Sequence, residues 1–481
     1  MTGASWPRLL SAEWRLFAAG WSNVLLLLAL AALSGFSVWG GVERTLETRA
    51  AQAQALQAHV NGWQNKRERF LQLQAGELEP DVFSNPKRAD LVVMSHRAPL
   101  VLPPLPLAPL SAGSVREGHD IIEAGMTSRH GRGSETTENP VNRLDGPLDL
   151  AFVVAWILPL VLLVLSYEGL AKDREQQIAP LLASGATPLR RIMVARAAVR
   201  FGAAFLVVGS IATLAVALAA GPDGVLTTAA DLALWLTGLA GHIIFWLIVS
   251  TAINAQARSA IGAGLSMLGV WILLSLVTPV MIALWVSSAT PRPDRLGYVL
   301  QLRAMQNDLA ERADEVRAAF YSENPARRPV RPAFSEYDAY FVETYYPRQR
   351  ILDRQFAPIA RDLHTLQVRQ AARLRLMSAL SPPLIMKRLT DDLAGHAPER
   401  RLAFFDSTGA FEARIRDSFD VKLASRRPLT LADYDLMPMH SPSVEPLLNR
   451  LQPASALLVS LFTVILLSGI ATGFRLRRVG P

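Results

Sequence analysis

The stretch LFAAGWSNVLLLLALAALSGFSVWGGV, Leu16 to Val42, carries no charged side chain. A helix needs about 20 consecutive apolar residues to cross the hydrocarbon core of a bilayer, so this stretch is long enough to span a membrane. It is too long for the apolar part of a cleaved signal peptide, and it lacks a small-x-small cleavage site followed by polar sequence. The sequence therefore predicts a retained first transmembrane helix.

Five further apolar stretches follow, each bounded by charged residues. Hydrophobic residues make up 51% of the 481 residues and charged residues only 19%, which is too apolar for an ordinary soluble protein. We predict an all-α polytopic membrane protein with six transmembrane helices and two extracytoplasmic insertions, the second mainly helical. The predicted spans are 16–42, 150–167, 201–222, 232–257, 259–291 and 451–474.

Lysine and arginine are unevenly distributed over the short loops. Six of them lie after the second span, whereas the loop between the third and fourth spans holds Asp223 and Asp231 without any basic residue. Short loops rich in lysine and arginine mark the cytoplasmic side of a membrane. We therefore expect both termini in the cytoplasm, and the net charge of +8 needs no nucleic-acid partner to explain it.

With this topology two long polar segments, 43–149 and 292–450, lie outside the cytoplasm. The first begins with a predicted helix from Glu43 to Leu78. Several prolines follow, and between Pro80 and Asp145 we expect little regular structure, because proline removes a backbone donor and breaks helices. This segment is the first extracytoplasmic domain.

The second outer segment is the mainly helical insertion. Helical periodicity runs from Arg295 to Ser322 and stops at Asn324, which precedes a proline. A second helical stretch from Phe334 to Leu380 is interrupted at Pro347, and Ser381 is a predicted N-cap for the helix that follows. Five aromatic residues crowd the second stretch, and they form either the core of this domain or a binding surface: Tyr337, Tyr340, Phe341, Tyr345 and Tyr346.

Three cytoplasmic segments complete the organisation. Residues 1–15 are amphipathic, and they either lie along the lipid of the inner leaflet or form the start of the first span. Residues 168–200 form the longest cytoplasmic loop, and residues 475–481 form the tail.

The sequence lacks the motifs of several enzyme classes. None of its lysines follows a glycine, so the chain has no phosphate-binding Gly-x-x-x-x-Gly-Lys loop and cannot hydrolyse ATP by that route. It has no cysteine for disulfides or thiolate metal sites, and it shows no nucleophile elbow or His-Glu-x-x-His motif. We expect a chain that is not an enzyme and holds no cofactor of its own.

The loop after the second span carries a specific pattern. An acidic-basic-acidic triplet, Asp173 to Glu175, is followed by a leucine pair, by Ser184, by Pro188 and by two arginines. This pattern resembles the loop of ABC-2-type transporter permeases, although Gln177-Ile178 stands in place of a Gly-Thr pair and Arg196 in place of a lysine. The alternative is an ordinary basic juxtamembrane loop.

The resemblance extends to the ABC-2 subgroup with a large C-terminal extracytoplasmic domain of unknown function. The residues that carry it are Asn139 to Val153, Leu380 to Leu384, Leu393 to Gly395, Arg400 and Phe404-Phe405. The resemblance implies a permease in a bacterial inner membrane, paired with a second copy or a paralogue. It also implies two copies of a separate ABC ATPase, which would use ATP and magnesium. The residues expected to contact the ATPase are Glu168, Asp173, Arg174, Glu175, Leu181, Leu182, Pro188, Arg190 and Arg191.

Two further candidate sites stand outside the loop. His242 lies near the middle of the fourth span, where an ionisable group is costly, so it has either a transport role or a hydrogen bond to a neighbouring helix. Met437, Met439 and His440 offer soft ligands for a metal such as Cu(I), but a structural role for this segment is favoured.

Two functions compete at this stage. In the first, the permease moves a substrate across the membrane. In the second, a mechanical transducer moves its outer domains to act on a periplasmic partner without translocating a substrate. The large outer segments favour the second function more than they would in a minimal exporter.

Overall fold

The computed structural model describes residues 5–79, 84–112, 121–125, 148–184, 187–220, 225–290, 294–440, 454–466 and 468–469. The described chain is mostly helical. Five apolar helical runs are long enough to cross a membrane: Trp21–Ala75, Leu150–Glu175, Arg191–Ala220, Thr228–Gln256 and Ala260–Ala289. These runs overlap the first five predicted spans. In the sixth, a shorter apolar helix occupies Ala454–Leu466.

The prediction of a helical protein embedded in a membrane is thereby confirmed. The helices, in chain order, are α1 Trp6–Ala19, α2 Trp21–Ala75, α3 Ala89–Met94, α4 Leu150–Phe152, α5 Leu158–Ser166, α6 Gly169–Glu175, α7 Ile178–Ala183, α8 Leu189–Ala220, α9 Val225–Gln256, α10 Ala260–Ile272, α11 Thr278–Ala289, α12 Arg295–Glu311, α13 Ala313–Glu323, α14 Glu336–Tyr340, α15 Tyr346–Ser378, α16 Pro382–Ala394, α17 Pro398–Ala424, α18 Leu431–Asp435 and α19 Ala454–Leu466.

The N-terminal segment forms a helix of its own. Helix α1 ends at Gly20, where the amide of Asn23 donates a hydrogen bond to the carbonyl of Phe17 (3.2 Å). It packs against α8. Residues 16–19 therefore belong to α1, and the long apolar helix begins at Trp21, five residues later than predicted. The chain turns at Gly20 because glycine favours helix ends over helix interiors.

The first span and the first outer helix are continuous. Helix α2 has 55 residues and is about 80 Å long at about 1.5 Å per residue. It contains no proline and ends at Gly76, whose φ of 79° is the left-handed conformation typical of a helix C-terminus. The helix contributes to two apolar clusters. Leu30 and Val38 belong to a cluster among the spans, which we call the membrane core, and Trp63 and Phe70 belong to a cluster among the two long polar segments, which we call the outer core.

Two prolines within the spans follow π-helical turns. The turn Val153–Ile157 precedes Pro159, and the turn Leu273–Val277 precedes Pro279. Proline lacks an N–H, and its ring collides with the carbonyl four residues before it. A π turn widens the helix by one residue and relieves that collision. Proline in a span predicts a kink, and in the second and fifth spans a local change of helix type accompanies each proline.

A small β-sheet accompanies the predicted helices. Strand β1, Ala98–Val101, pairs antiparallel with β2, Ile121–Ala124. Between Pro80 and Asp145 the described residues form only this sheet, α3 and a 3-10 turn at Ala108–Leu110, and residues 80–83, 113–120 and 126–145 lie outside the described part of the chain. Pro99 is tolerated because both strands of a two-stranded sheet are edge strands. Burial of Leu100 in the outer core stabilises a pairing that local sequence disfavours.

The outer core draws on both outer segments. Trp63 of α2 donates from Nε1 to the carbonyl of Tyr434 (3.0 Å), and the Tyr434 hydroxyl donates to the carbonyl of Pro86 (2.8 Å). Val93 and Leu100 lie in the same apolar cluster as the buried aromatic residues of α17. The two predicted insertions therefore share one hydrophobic core.

The aromatic residues near the start of α15 divide between core and surface. Phe341 and Tyr346 are buried in the outer core, whereas Tyr337 and Tyr340 are exposed. A π turn at Phe341–Tyr345 adds one residue to the helix, and Tyr346 directly after it is buried. The helix continues through Pro347, which lies in the first turn of α15 and does not interrupt it.

Helix α16 connects the outer domain to the membrane helices. Ser381 accepts a hydrogen bond from the amide of Leu384 (3.5 Å), as predicted for an N-cap, and donates one to the carbonyl of Leu274 (2.9 Å). Trp235 of α9 donates from Nε1 to Thr390 (3.0 Å). A Cβ atom at Gly238 would overlap the side chain of Leu389, so glycine permits this close approach. The apolar residues that α16 buries in the membrane core are Ile385, Met386, Leu389 and Leu393.

Candidate functional site

The loop after the second span contains two short helices, α6 and α7, which we call the elbow (residues 168–183). The chain turns between them at Gln177, whose φ is 58°. The sequence of this loop predicts one short amphipathic helix, with the charged triplet at its start and Ile178, Leu181 and Leu182 on an apolar face. That prediction is wrong, because the left-handed residue ends α6 and the triplet lies in the last turn of α6.

Asp173 fastens the elbow to the third span. Its carboxylate accepts a hydrogen bond from Nη1 of Arg196 in α8 (2.5 Å). The guanidinium of Arg196 also lies 3.4 Å from the carboxylate of Glu13 in α1. Both acidic side chains are largely buried, so the pairs are less screened than exposed ion pairs. Arg196 thus links the elbow, the N-terminal helix and the third span.

Arg174 binds the end of the fourth span. Its Nη1 atom donates to the backbone carbonyls of Asn254 (3.3 Å), Ala255 (2.8 Å) and Ala257 (3.2 Å). The last carbonyls of a helix have no partners within the helix, and together they carry a partial negative charge. Arg174 therefore gives these carbonyls a hydrogen-bond donor and places a positive charge beside their partial negative charge. The amide of Asn254 adds a direct contact, since it donates to the carbonyl of Ser166 in α5 (3.0 Å).

Glu175 binds the start of the fifth span. Its carboxylate accepts a hydrogen bond from the backbone N–H of Ala260 (3.0 Å). The first N–H groups of a helix are unpaired and carry a partial positive charge, which a carboxylate complements. Neighbouring residues of α6 thus contact opposite helix poles, Arg174 a C-terminus and Glu175 an N-terminus. Glu168, at the start of the elbow, pairs only with solvent-exposed Lys172 (2.8 Å) and with the Tyr167 hydroxyl (3.0 Å) among the described residues.

The second elbow helix presents apolar side chains to the surface. Leu181 is 76% exposed and Ile178 is 38% exposed, while Leu182 is half-buried. Helix α7 packs against α6. The charged side chains of α6 therefore make contacts within the chain, whereas Ile178 and Leu181 of α7 remain exposed to solvent.

The remaining predicted residues of the loop lie at the start of α8. The carbonyl of Pro188 accepts the backbone N–H of Arg191 (2.8 Å), which places Pro188 at the N-terminus of this helix. Arg191 is exposed. Arg190 lies in the same first turn, and its side chain is outside the described part of the chain.

His242 is fully buried in α9. It lies edge-on to Trp246, with ring centroids 6.3 Å apart, and beside the backbone of Val154 in the π turn of the second span. The ring is packed between helices, and neither of its nitrogen atoms forms a hydrogen bond with the described residues. Both roles considered for His242 stay predictions.

The methionine-histidine segment divides between the core and the surface. Met437 is buried in the outer core, Met439 is exposed, and His440 packs edge-on against Phe411 (5.7 Å). The two methionines therefore occupy different environments. Within the described residues, no group of three or more histidine, cysteine or carboxylate side chains could hold a metal ion.

Sequence reasoning missed several members of the elbow network. Glu13 was assigned only to the polar face of the N-terminal segment, and Asn254 was not singled out. The sequence does indicate a contact for Asn254, because a side-chain amide near the end of an apolar span needs a hydrogen-bond partner. Glu13 has no such signal, since nothing in its local sequence specifies the contact with Arg196.

Comparison with known families gives one match, which covers part of the outer domain. A family described as "Domain of unknown function (DUF3526)" matches residues 295–443. No curated protein and no solved structure matches the chain. The matched residues begin at α12 and end after α18, so the elbow and the spans lie outside them.

Proposed function

We propose that this chain is the transmembrane permease subunit of an ABC transporter of the ABC-2 type. It couples ATP hydrolysis by two copies of a separate ATPase to the movement of a substrate across a bacterial inner membrane. Both of its termini are cytoplasmic, and it pairs with a second copy or a paralogue. ATP and magnesium are used by the ATPase alone.

The observation that carries this proposal is the division of the elbow. The exposed apolar helix α7 has the form of a ligand for a groove on another protein, because amphipathic helices bind grooves through residues such as Ile178 and Leu181. The adjoining helix α6 is tied to three spans through Asp173, Arg174 and Glu175. A displacement of α7 is therefore transmitted to the ends of the third, fourth and fifth spans.

The fifth span supports the presence of a second subunit. It is the least buried of the five long apolar helices. Of its most apolar 18 residues 17% are buried, against 61% for the second span. Its exposed residues form a continuous apolar face that includes Ile261, Leu265 and Leu284. The proposed second copy packs against this face, and lipid covers the apolar surface that the copy leaves open.

The substitution Leu181→Asp tests the proposal. We expect it to lower the ATP hydrolysis that copurifies with the full chain at least tenfold, because a charge placed on the apolar face opposes its insertion into a groove. The leucine is already exposed, so the free energy of unfolding should change by less than about 0.5 kcal/mol.

Leu436→Asp is the matched control. Leu436 is 74% exposed and lies in the outer domain, so it reproduces the chemical change at equal exposure on the other side of the proposed membrane. Its copurifying ATPase activity should equal that of the unmodified chain. Equal activity in Leu181→Asp would remove the elbow from the mechanism.

The mechanical transducer is the second candidate, and one observation favours it. Helix α2 runs without interruption from the apolar span to Trp63 and Phe70 in the outer core, so a tilt of the span must move the outer domain. In that case ATP use changes distances within the outer domain or between it and a periplasmic partner. Substrate uptake into vesicles distinguishes the two functions, because the transducer would hydrolyse ATP without any uptake.

A further inference from the structure

A cavity of about 170 Å³ lies in the outer domain, where the two outer segments meet. Residues 85–90 of the first segment form one side. Residues 331–338 and 423–428 of the second segment form the rest. Drug-sized ligands usually occupy cavities of about 300 to 1,000 Å³, so this cavity fits a small molecule or one end of a larger one.

Two buried ion pairs form the floor of the cavity. Arg88 makes two hydrogen bonds to Asp90 (3.1 and 2.5 Å). Arg426 donates to Asp338 (2.7 Å) and to Glu343 (2.8 Å). These carboxylates compensate the two buried guanidinium groups, so the floor itself has no large excess of charge.

Three further cations surround the cavity, and all are exposed: Lys87, Arg331 and Arg427. Within the described residues, no carboxylate lies within ion-pair distance of these three side chains. The lining therefore contains five cationic side chains and two carboxylates, Asp90 and Asp338. Within the described residues, no carboxylate compensates the three exposed cations.

Backbone hydrogen bonds fix the main chain at the three residues that carry the exposed cations. The carbonyl of Lys87 accepts a hydrogen bond from the N–H of Leu429 (2.8 Å), and the carbonyl of Arg331 accepts one from Arg426 (3.2 Å). The N–H of Arg427 donates to the carbonyl of Lys422 (3.0 Å). A ligand therefore has to order the side chains of these residues but not their main chain.

A second basic cavity in the same domain differs in this respect. Its Arg327 pairs with Asp420 (2.5 Å), and its Arg354 pairs with Glu323 (3.0 Å). Those arginines are already neutralised by the chain. The comparison favours the first cavity as a binding site, because only its exposed cations still lack carboxylates within the described residues.

We propose that this cavity binds a small soluble anion that carries a carboxylate or phosphate group. Guanidinium groups form paired, charge-assisted hydrogen bonds with both groups, and Lys87 adds a further cation. Phe334 at the edge of the cavity is 44% exposed and offers apolar surface to the part of the ligand next to its anionic group.

The position of the cavity favours a soluble anion over a lipid headgroup of the same membrane. Tyr434 ties the cavity wall to α2, because its hydroxyl binds the carbonyl of Pro86 and its ring packs 5.2 Å from Phe70. Phe70 lies about 40 Å along the helix axis from Val42, the predicted end of the first span, at about 1.5 Å per residue. That distance exceeds the depth of a headgroup layer.

Isothermal titration calorimetry on the detergent-purified full chain, with inorganic phosphate and with citrate in 150 mM NaCl, tests this proposal. We expect saturable binding of at least one of the two anions. The double variant Arg331→Gln/Arg427→Gln should weaken it at least about tenfold, because two charge-assisted contacts are lost. Arg303→Gln is the matched control, since Arg303 is an exposed arginine of the same domain outside the cavity, and its affinity should be unchanged.

Thermal unfolding without ligand must give the same midpoint for all variants. If the double variant fails this criterion, Lys87→Gln replaces it, and we expect a weakening of about threefold or more. An absence of saturable binding by both anions, or equal affinity in the cavity variants, overturns the proposal. Titrations in nanodiscs of zwitterionic and of anionic lipid should agree; weaker binding in anionic nanodiscs would assign the cavity to lipid headgroups instead.

Discussion

The two ends of the membrane bundle are joined to their neighbouring elements by different kinds of contact. At the elbow, Asp173, Arg174 and Glu175 contact one arginine and two helix ends through charged hydrogen bonds. At the opposite end, α16 buries apolar side chains such as Leu389 between the spans. Charged contacts at helix ends depend on direction and are each worth about 1 to 3 kcal/mol. Apolar contacts do not depend on direction, and they add up over the whole buried face.

This difference predicts different mechanical behaviour at the two ends. A rotation of a few degrees at the elbow can exchange one carbonyl acceptor for the next, because Arg174 already contacts three. A similar movement of α16 would open a cavity beside Gly238, where the backbone approach is close. We therefore expect the elbow to change its angle to the spans while it stays attached to their ends, and α16 to move with the spans as one body.

The largest effect is expected at the apolar end. Leu389→Asp should lower the free energy of unfolding by about 4 kcal/mol or more, because it combines the loss of a fully buried leucine with an unpaired buried carboxylate. Chemical denaturation of the purified chain measures the loss. Leu389→Met keeps the volume and should cost less than about 1.5 kcal/mol. Similar values for the two variants would show that α16 is not held by apolar packing.

An intermediate effect is expected at the charged end. Arg174→Ala should cost about 1 to 3 kcal/mol, since it leaves the last carbonyls of α9 without their donor. Lys172→Ala is the control two residues away, because Lys172 pairs with Glu168 on the surface, and such pairs contribute about 0 to 1 kcal/mol. Hydrogen exchange at the end of α9 should increase in the first variant alone. Increased exchange in both variants, or in neither, would contradict the role of Arg174 as a cap.

The smallest effect is a pH dependence at α16. Burial raises the pKa of Asp392 to about 6, and this outweighs the opposing influence of Arg388 and Arg375. The folded carboxyl therefore holds its proton at a pH where the unfolded one, with a pKa near 3.9, has lost it. Between about pH 4 and pH 6 this group makes the fold more stable as the pH falls, and the contribution disappears as the pH rises above 6.

The Asp392→Asn variant isolates this contribution. We expect the unfolding midpoint of the unmodified chain to rise relative to that of the variant as the pH is lowered from 7 to 4.5. Thermal unfolding of both proteins across this range measures the difference. A constant difference between the two midpoints would mean that Asp392 titrates at the same pH in the folded and unfolded chain.

Local pattern alone determined several features of this protein. Uninterrupted apolar sequence specifies the five long membrane helices, since backbone groups in hydrocarbon must be satisfied within the helix. Ser381 caps α16 and the chain leaves α13 at Asn324, as the sequence predicts, because capping and proline effects act over a few residues. The triplet at Asp173 was recognisable as a pattern, and so were the two leucines of the elbow.

Tertiary structure decided what these residues contact. By local sequence alone, Asp173 and its two neighbours are a cluster of charged residues in a loop. Their partners come from α8, α9 and α10, and no local pattern connects these helices to the cluster. The strand at Leu100 and the inward position of Tyr346 likewise depend on burial in a core assembled from both outer segments. Local propensities amount to fractions of a kcal/mol per residue, whereas burial of one large side chain contributes about 1.5 to 3 kcal/mol. Where the two disagree, the packed core determines the structure.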